Sequence, residues 1–165
     1  MYYWRITKYN PLYRDRQGSY LMDEWTCYSD IGKSFKGKEF TIQEYLRTEE
    51  SYIKAVMLFM SFMKLVSLRI RFLEHDGLRI KKYNDDGKKE IINNEYVQGN
   101  DLKRIIRLIL RNVIWCRLEA EGMSLYFSHD LYMYITSVNP CNSVIAEIEK
   151  NGLFVESLRA TPIEP

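Results

Sequence analysis

The sequence predicts an α+β domain: a mainly antiparallel sheet with about three helices packed on it. Several stretches alternate apolar and polar side chains, as half-buried strands do. Short turn signals join many of them, and short turns require antiparallel pairing. Other stretches repeat apolar residues at three- and four-residue steps, as amphipathic helices do. The 165 residues suffice for one domain with a sizeable core and are short for two. We assign 1–160 to a single domain and 161–165 to a flexible C-terminal tail.

The first third of the chain contains a strand and the longest helix. Tyr2 to Tyr9 alternates and stops at Asn10-Pro11. Ser19 to Ile31 reads as extended structure. Thr41 to Glu44 forms a capping box, because the Thr41 hydroxyl can accept from the Glu44 amide and the Glu44 carboxylate can reach back. We therefore expect the longest helix to begin within about two residues of Thr41 and to run to about Met63.

Strand patterns dominate the middle of the chain. Val66 to Glu74 alternates, which puts Leu68, Ile70 and Phe72 on the core face and Arg69 and Arg71 on the other. A further strand is expected at Leu78 to Tyr83, followed by a turn at Asn84 to Gly87.

The last third alternates helices and strands. A second helix should start at the N-cap Asn100 and carry its apolar stripe to Val113. Ile114 to Glu121 and Ser124 to Thr136 read as two long strands joined at Gly122. A short helix should be capped by Asn139 before Pro140 and end at Asn151-Gly152. Leu153 to Leu158 reads as a last strand.

Composition restricts the classes of function. The net charge is +2, from 24 basic and 22 acidic residues, so no strong overall field attracts nucleic acid or membrane. The N-terminus lacks a signal-peptide pattern, and the longest apolar run is far shorter than the ~20 residues that span a bilayer. Cys27, Cys116 and Cys141 are widely spaced, which argues against a disulfide framework or a zinc site and fits a reducing compartment. We expect a cytoplasmic protein with no cofactor and no metal.

The sequence contains no motif typical of catalysis. It has no GxGxxG, no Walker glycine loop, no HExxH and no GxSxG. His75 and His129 are the two histidines. We interpret His75 as part of a polar hairpin turn and His129 as a hydrogen-bonded residue at the core edge. The alternatives are a general base at His75 and a nuclease-like catalytic histidine at His129. We predict that the protein is not an enzyme and has no catalytic residues.

Two charged features on the predicted helices have competing interpretations. Glu49 interrupts the apolar stripe of the first helix, either as a core-edge carboxylate paired with an arginine or as a functional acid with a raised pKa. Arg104, Arg107 and Arg111 form a stripe on the second helix that could grip phosphates. A solvated face partly paired with acids is the preferred interpretation, because RNA-binding proteins of this size are usually far more basic.

Two segments are candidate protein-binding surfaces. The first holds Asp23, Glu24, Trp25 and Asp30, and carboxylates around an indole suit an inhibitor of a basic nuclease; the alternative is a structural loop. The second holds Tyr126, Asp130, Tyr132 and Tyr134, which share one face of the predicted last long strand. That face is an interface if nothing covers it and part of the core if a helix does.

A family resemblance connects these segments. The block Tyr3 to Pro11 (YWRITKYNP), continued by Asp23 to Thr26 and Ser29 to Gly32, resembles small bacterial immunity proteins of polymorphic toxin systems, including contact-dependent growth inhibition. Asp130 to Ile135 is similar to a pattern in their C-terminal strand. The resemblance covers about the first 55 residues well and the last third loosely.

The resemblance implies a cytoplasmic, immunity-like domain that binds the C-terminal domain of one cognate toxin, often a nuclease, and blocks it. It implies no catalytic residues and no direct contact with nucleic acid or membrane, and a homodimer is possible. The near-neutral charge departs from strongly acidic nuclease inhibitors and favours a block by shape or away from the active site. One alternative function is a small RNA-processing enzyme or RNA-binding factor using His129, Asp130 and the Arg104/Arg107/Arg111 stripe. Another is a structural or regulatory oligomer built on the tyrosine-rich face.

Overall fold

The computed structural model describes residues 1–75 and 90–160. The helices are α1 (Ile42–Phe62), α2 (Gly99–Leu110) and α3 (Asn142–Lys150). The strands are β1 (Tyr2–Thr7), β2 (Ser34–Phe35), β3 (Lys38–Glu39), β4 (Leu68–His75), β5 (Tyr96–Val97), β6 (Ile114–Ala120), β7 (Met123–Phe127), β8 (Met133–Ser137) and β9 (Phe154–Leu158). The strand predicted at Leu78 to Tyr83, the turn at Asn84 to Gly87 and the tail 161–165 lie outside the described residues.

The predicted α+β class is confirmed. Within the described ranges, seven strands form one antiparallel sheet in the order β5-β4-β6-β7-β8-β1-β9, while β2 and β3 form a separate hairpin. The inner face of the sheet packs against the helices: the Trp4 ring lies 5.4 Å from Phe59 of α1, and Tyr52 of α1 lies 6.0 Å from Phe127. The other face, which we call the outer face, carries the alternate side chains.

Helix α1 starts where the sequence predicts. Thr41 is its N-cap, and the Thr41 hydroxyl accepts from the Glu44 amide at 3.2 Å. The Glu44 carboxylate lies 3.7 Å from Lys38 Nζ rather than completing the expected box. The stripe is buried at its centre, where Ile53 and Val56 are almost inaccessible to solvent. Burial of this stripe attaches α1 to the sheet.

The predicted long strand from Ser124 to Thr136 is wrong. Asp130 and Leu131 have φ values of 56° and 62°, in the left-handed region that a strand does not visit. They form a tight 3₁₀ turn, so that β7 and β8 pair as a hairpin with Tyr126 opposite Tyr134. The expected extended segment from Ser19 to Ile31 is also wrong; the residues form a loop that ends in a 3₁₀ turn at Tyr28–Asp30.

Two predicted helix starts are displaced by two residues. Helix α2 is capped by Gln98 rather than Asn100, because Gln98 is the last extended residue before the helix. Helix α3 is capped by Cys141 rather than Asn139, because Cys141 has a left-handed backbone with φ 46° and helical geometry begins after it. The predicted stop is confirmed, since Gly152 has φ +86° after the C-cap Asn151. The last strand is confirmed too and pairs with β1.

Candidate protein-interaction surfaces

Trp25 is internal, so its prediction as an exposed binding anchor is wrong. The side chain is 6% exposed and stacks on Phe40, with ring centroids 4.2 Å apart. The Lys8 ammonium lies 4.1 Å from the centre of the Trp25 ring. A ring held between an aromatic ring and a cation is part of the packing of the N-terminal region.

Glu24 completes a clamp with Lys8. Its carboxylate accepts from Lys8 Nζ at 2.5 Å and from the Tyr20 hydroxyl. Burial lowers the pKa of Lys8, whose ammonium also lies 4.3 Å from the Tyr9 ring. This clamp joins the end of β1 to the loop that follows it, so Glu24 is mainly structural.

Asp30 is also structural. Its carboxylate accepts from the amides of Thr26 at 2.9 Å and Cys27 at 3.3 Å, and from Lys33 Nζ at 2.8 Å. Burial alone would raise the pKa of Asp30, but these donors outweigh it and lower the pKa to about 2. Of the four acidic-segment residues predicted to bind a partner, Asp23 is exposed and Glu24 partly so.

The tyrosines of the second predicted surface are mostly buried. Tyr126 and Tyr134 stack on the outer face with centroids 5.2 Å apart, and both are buried. Tyr132 is half-buried and accepts a 2.9 Å hydrogen bond from Arg14 of the N-terminal loop. Asp130 is exposed at the tip of the β7–β8 turn. Tyr126 and Tyr134 therefore do not form the exposed aromatic patch that was one of the two interpretations of the sequence.

The N-terminal loop itself presents an apolar surface that the sequence patterns did not single out. We call the exposed side chains of Leu12, Tyr13, Leu21 and Asp23 the loop surface. Leu12 is 85% and Leu21 66% exposed. The Leu21 amide donates to the Tyr13 carbonyl at 3.0 Å, which places Leu21 beside Tyr13, the residue that follows Leu12. The one sequence feature that could have indicated this surface was the presence of apolar residues inside a turn-rich segment.

Local hydrogen bonds hold the loop in shape. Asn10 Oδ1 accepts from the Leu12 amide at 3.0 Å, and Asp15 Oδ1 accepts from the amides of Gln17 and Ser19 at 2.9 and 2.8 Å. Arg14 donates to the Gly18 carbonyl at 3.1 Å, which links the loop to the Tyr132 contact described above. The loop surface is therefore braced at several points before any partner binds.

A cleft of about 370 Å³ lies beside the loop surface. Tyr13, Tyr20, Asp23 and Glu24 line it together with residues of the β2–β3 hairpin and the start of α1. The hairpin contributes the charged side chains of Lys36, Lys38 and Glu39. Charges of both signs around a cleft suit a protein partner with mixed charge better than a polyanion.

The arginine stripe of α2 is largely paired with acids, as preferred from sequence. Arg111 forms a two-pronged contact with Glu49, with both N–O distances at 2.7 Å. Arg107 lies 3.7 Å from the Glu49 carboxylate and 3.5 Å from Glu50. Glu49 is buried, so its interpretation as a core-edge carboxylate paired with an arginine is confirmed.

The two histidines line one cleft of about 460 Å³, together with Trp115 and Ser128. His129 is exposed there, so its prediction as a core-edge residue is wrong: the turn after β7 carries it out of the sheet. Arg107 and Arg111 contact α1 instead of this cleft. The structure therefore does not gather the residues of the RNA-processing alternative into one site.

Comparisons of the chain with known proteins identify no relative. No family model, curated protein or solved structure matches the chain. Within residues 1–75 and 90–160, no three histidine, cysteine or acidic side chains are close enough to hold a metal ion. Over the same residues no helix is both long and apolar enough to cross a membrane.

Proposed function

We propose that this chain is an immunity protein that binds a cognate toxin domain in the cytoplasm and neutralises it, and that the loop surface is the centre of the contact. The toxin is proposed to be a nuclease. The observation that carries the proposal is the exposure of Leu12, Tyr13 and Leu21 on a braced loop. The three cysteines are unpaired thiols, which fits a reducing compartment.

The loop surface has the properties of an energetic centre. Burying a leucine side chain against a partner contributes about 1.5–3 kcal/mol, and a tyrosine ring adds further apolar area. Since the loop is already held by the Asn10 and Asp15 hydrogen bonds, little ordering is required on binding. Three such anchors inside a charged rim supply a substantial part of the about 12 kcal/mol that nanomolar affinity represents.

The surrounding charges favour a fit by shape. Asp23 is the exposed carboxylate of the loop surface, and Lys36, Lys38 and Glu39 stand across the cleft. A surface that imitates nucleic acid would be uniformly acidic, and this one is not. We therefore propose that the apolar side chains determine the dissociation rate, while Asp23 contributes to the association rate.

Surface-plasmon kinetics against the toxin domain encoded directly upstream test the proposal. Replacing both Leu12 and Leu21 with alanine should speed dissociation about tenfold or more. Asp23→Asn should mainly slow association at low salt. Leu46→Ala is the matched control, because Leu46 is also an exposed leucine but lies on α1. It should leave both rates unchanged.

Two outcomes count against the proposal at different levels. If the wild-type protein neither binds that toxin nor protects cells that produce it, the immunity assignment is rejected. If binding is tight and the Leu12 and Leu21 variants do not change it, the immunity assignment stands but the loop surface is not part of the contact.

A further inference from the structure

A second unusual surface lies on the outer face of the sheet, at β4, β5 and β6. We call it the sheet patch: Arg69, Arg71, Phe72, Tyr96 and Arg117. The Arg69 guanidinium lies 5.9 Å from the centre of the Tyr96 ring, and Arg71 and Arg117 lie 5.4 and 5.0 Å from the centre of Phe72. The patch contains three arginines, and Glu119 lies 3.2 Å from Arg117.

Phe72 is held outward by the backbone. The alternating pattern predicted it on the core face, and that prediction is wrong. The β4–β6 register shifts between Arg71 and Glu74, Phe72 has φ 54°, and its ring is 50% exposed. A left-handed backbone is unfavourable for a bulky side chain, and a β-bulge re-aims the side chain that it carries. Phe72 does not belong to the buried core, and its side chain is accessible from outside.

The arrangement selects an acidic protein surface over a nucleic acid. Two guanidinium groups already lie over the Phe72 ring, so a base that stacked on it, as in a single-strand binding protein, would compete with them for the ring. Guanidinium groups present a planar fork of donors that fits carboxylates in two-pronged geometry. An apolar ring between such forks matches a partner pocket bordered by Asp or Glu.

Arg14, which anchors the N-terminal loop, lies on the same side of the sheet as the sheet patch. Arg14 of the loop contacts Tyr132 after the β7–β8 turn and lies 3.5 Å from Glu156 of β9, which pairs with Arg5 on the outer face of β1. Strands β4 and β1 are four strand spacings apart, about 19 Å. A standard interface covers about 800 Å² on each partner, or roughly 30 Å across. A partner of that size can therefore span the outer face from the sheet patch to β1, the strand that leads into the N-terminal loop.

We infer that the toxin domain docks across the loop surface and the sheet patch together, and that it presents carboxylates to Arg69, Arg71 and Arg117. This inference rests on the proposed function. A nuclease binds phosphates in a basic active site, so an acidic toxin face lies away from that centre. The toxin is then held by a surface outside its catalytic groups.

Charge reversal and ring removal test the inference on the full chain with the same upstream toxin domain. Arg71→Glu should slow association on the order of tenfold at low salt, with the difference shrinking as salt rises. Arg47→Glu is the matched control, since Arg47 is an exposed arginine on α1 and the change in net charge is identical. Phe72→Gly should speed dissociation about tenfold while leaving the fold intact, because glycine accepts φ 54° readily.

Each result separates this inference from the proposed function. The Leu12 and Leu21 variants could weaken toxin binding while Arg71→Glu and Phe72→Gly change it by no more than about twofold. That result overturns the sheet patch alone. Binding of a single-stranded RNA oligonucleotide that Arg71→Glu abolishes overturns it in favour of a nucleic-acid site. A wild-type protein that does not bind the toxin rejects both proposals.

Discussion

Replacing Asp30 with asparagine should destabilise the fold without touching a binding surface. The change keeps the size of the side chain and removes its charge. The negative carboxylate now accepts hydrogen bonds from two backbone amides and from Lys33. A neutral amide accepts those bonds more weakly, since bonds to a charged group are roughly twice as strong as neutral ones. Stability at pH 7 should therefore fall.

The lowered pKa of Asp30 sets the size of the effect. A fall from the usual 3.8 to about 2 corresponds to at most about 2.4 kcal/mol, at about 1.4 kcal/mol for each pH unit. The Lys33 side chain is 61% exposed, so solvent screens its share. We therefore expect Asp30→Asn to lower the free energy of unfolding by about 1–2 kcal/mol at pH 7.

The effect should depend on pH in one direction. Because the folded pKa is lower than the unfolded pKa, the stabilisation is complete above the unfolded value of 3.8 and disappears as pH falls towards about 2. Urea unfolding of both proteins at several pH values measures this. The difference should be constant from pH 7 to about 5 and shrink below about pH 4. Asp23→Asn, at an exposed carboxylate, should change stability by less than about 0.5 kcal/mol.

Two results would refute this reasoning. One is an Asp30→Asn variant as stable as the wild type at pH 7. The other is a stability difference that stays the same down to about pH 2.5, which would mean that the charge does not contribute. A tenfold faster dissociation from the toxin with unchanged stability would restore Asp30 as a contact residue.

Three further predictions concern the core and catalysis. Ile53→Ala should cost about 2–5 kcal/mol, and Met57→Ala clearly less, because Ile53 is fully buried and Met57 is not; thermal or urea unfolding compares them. Glu49→Gln should cost about 1.5–3 kcal/mol by weakening the charge-assisted bonds from Arg111, and a loss below about 0.5 kcal/mol in urea unfolding would contradict the paired carboxylate. Purified protein should not hydrolyse RNA; turnover that His129→Ala removes would show an enzyme instead.

Local sequence signals predicted the elements whose determinants are local. Helix α1 begins at Thr41 because its cap and its apolar stripe lie within one continuous segment. The pairing of Glu49 with an arginine also followed from the sequence, since a carboxylate inside an apolar stripe needs a charged partner. Pattern reasoning failed where the backbone departs from regular geometry, at the Asp130–Leu131 turn and at the Phe72 bulge.

The candidate surfaces were harder to predict than the elements. The Asp23 to Trp25 segment looks like a binding epitope in sequence, but Trp25 and Glu24 contact Lys8, which directly follows β1 and which only the folded chain brings near. Leu12 and Leu21 look ordinary in sequence. Their exposure results from the way the loop folds back, with Leu21 beside Tyr13.

The sequence by itself determined the class of fold, the start of α1, the last strand and the absence of known catalytic motifs, because period, capping and motif spacing are properties of neighbouring residues. The tertiary structure decided which side chains remain in contact with solvent. Burial depends on contacts between distant segments, such as Arg14 with Tyr132 and Lys8 with Trp25, and no local pattern records them. Those contacts place the predicted anchor Trp25 inside the protein and leave Leu12, Leu21 and Phe72 on its surface.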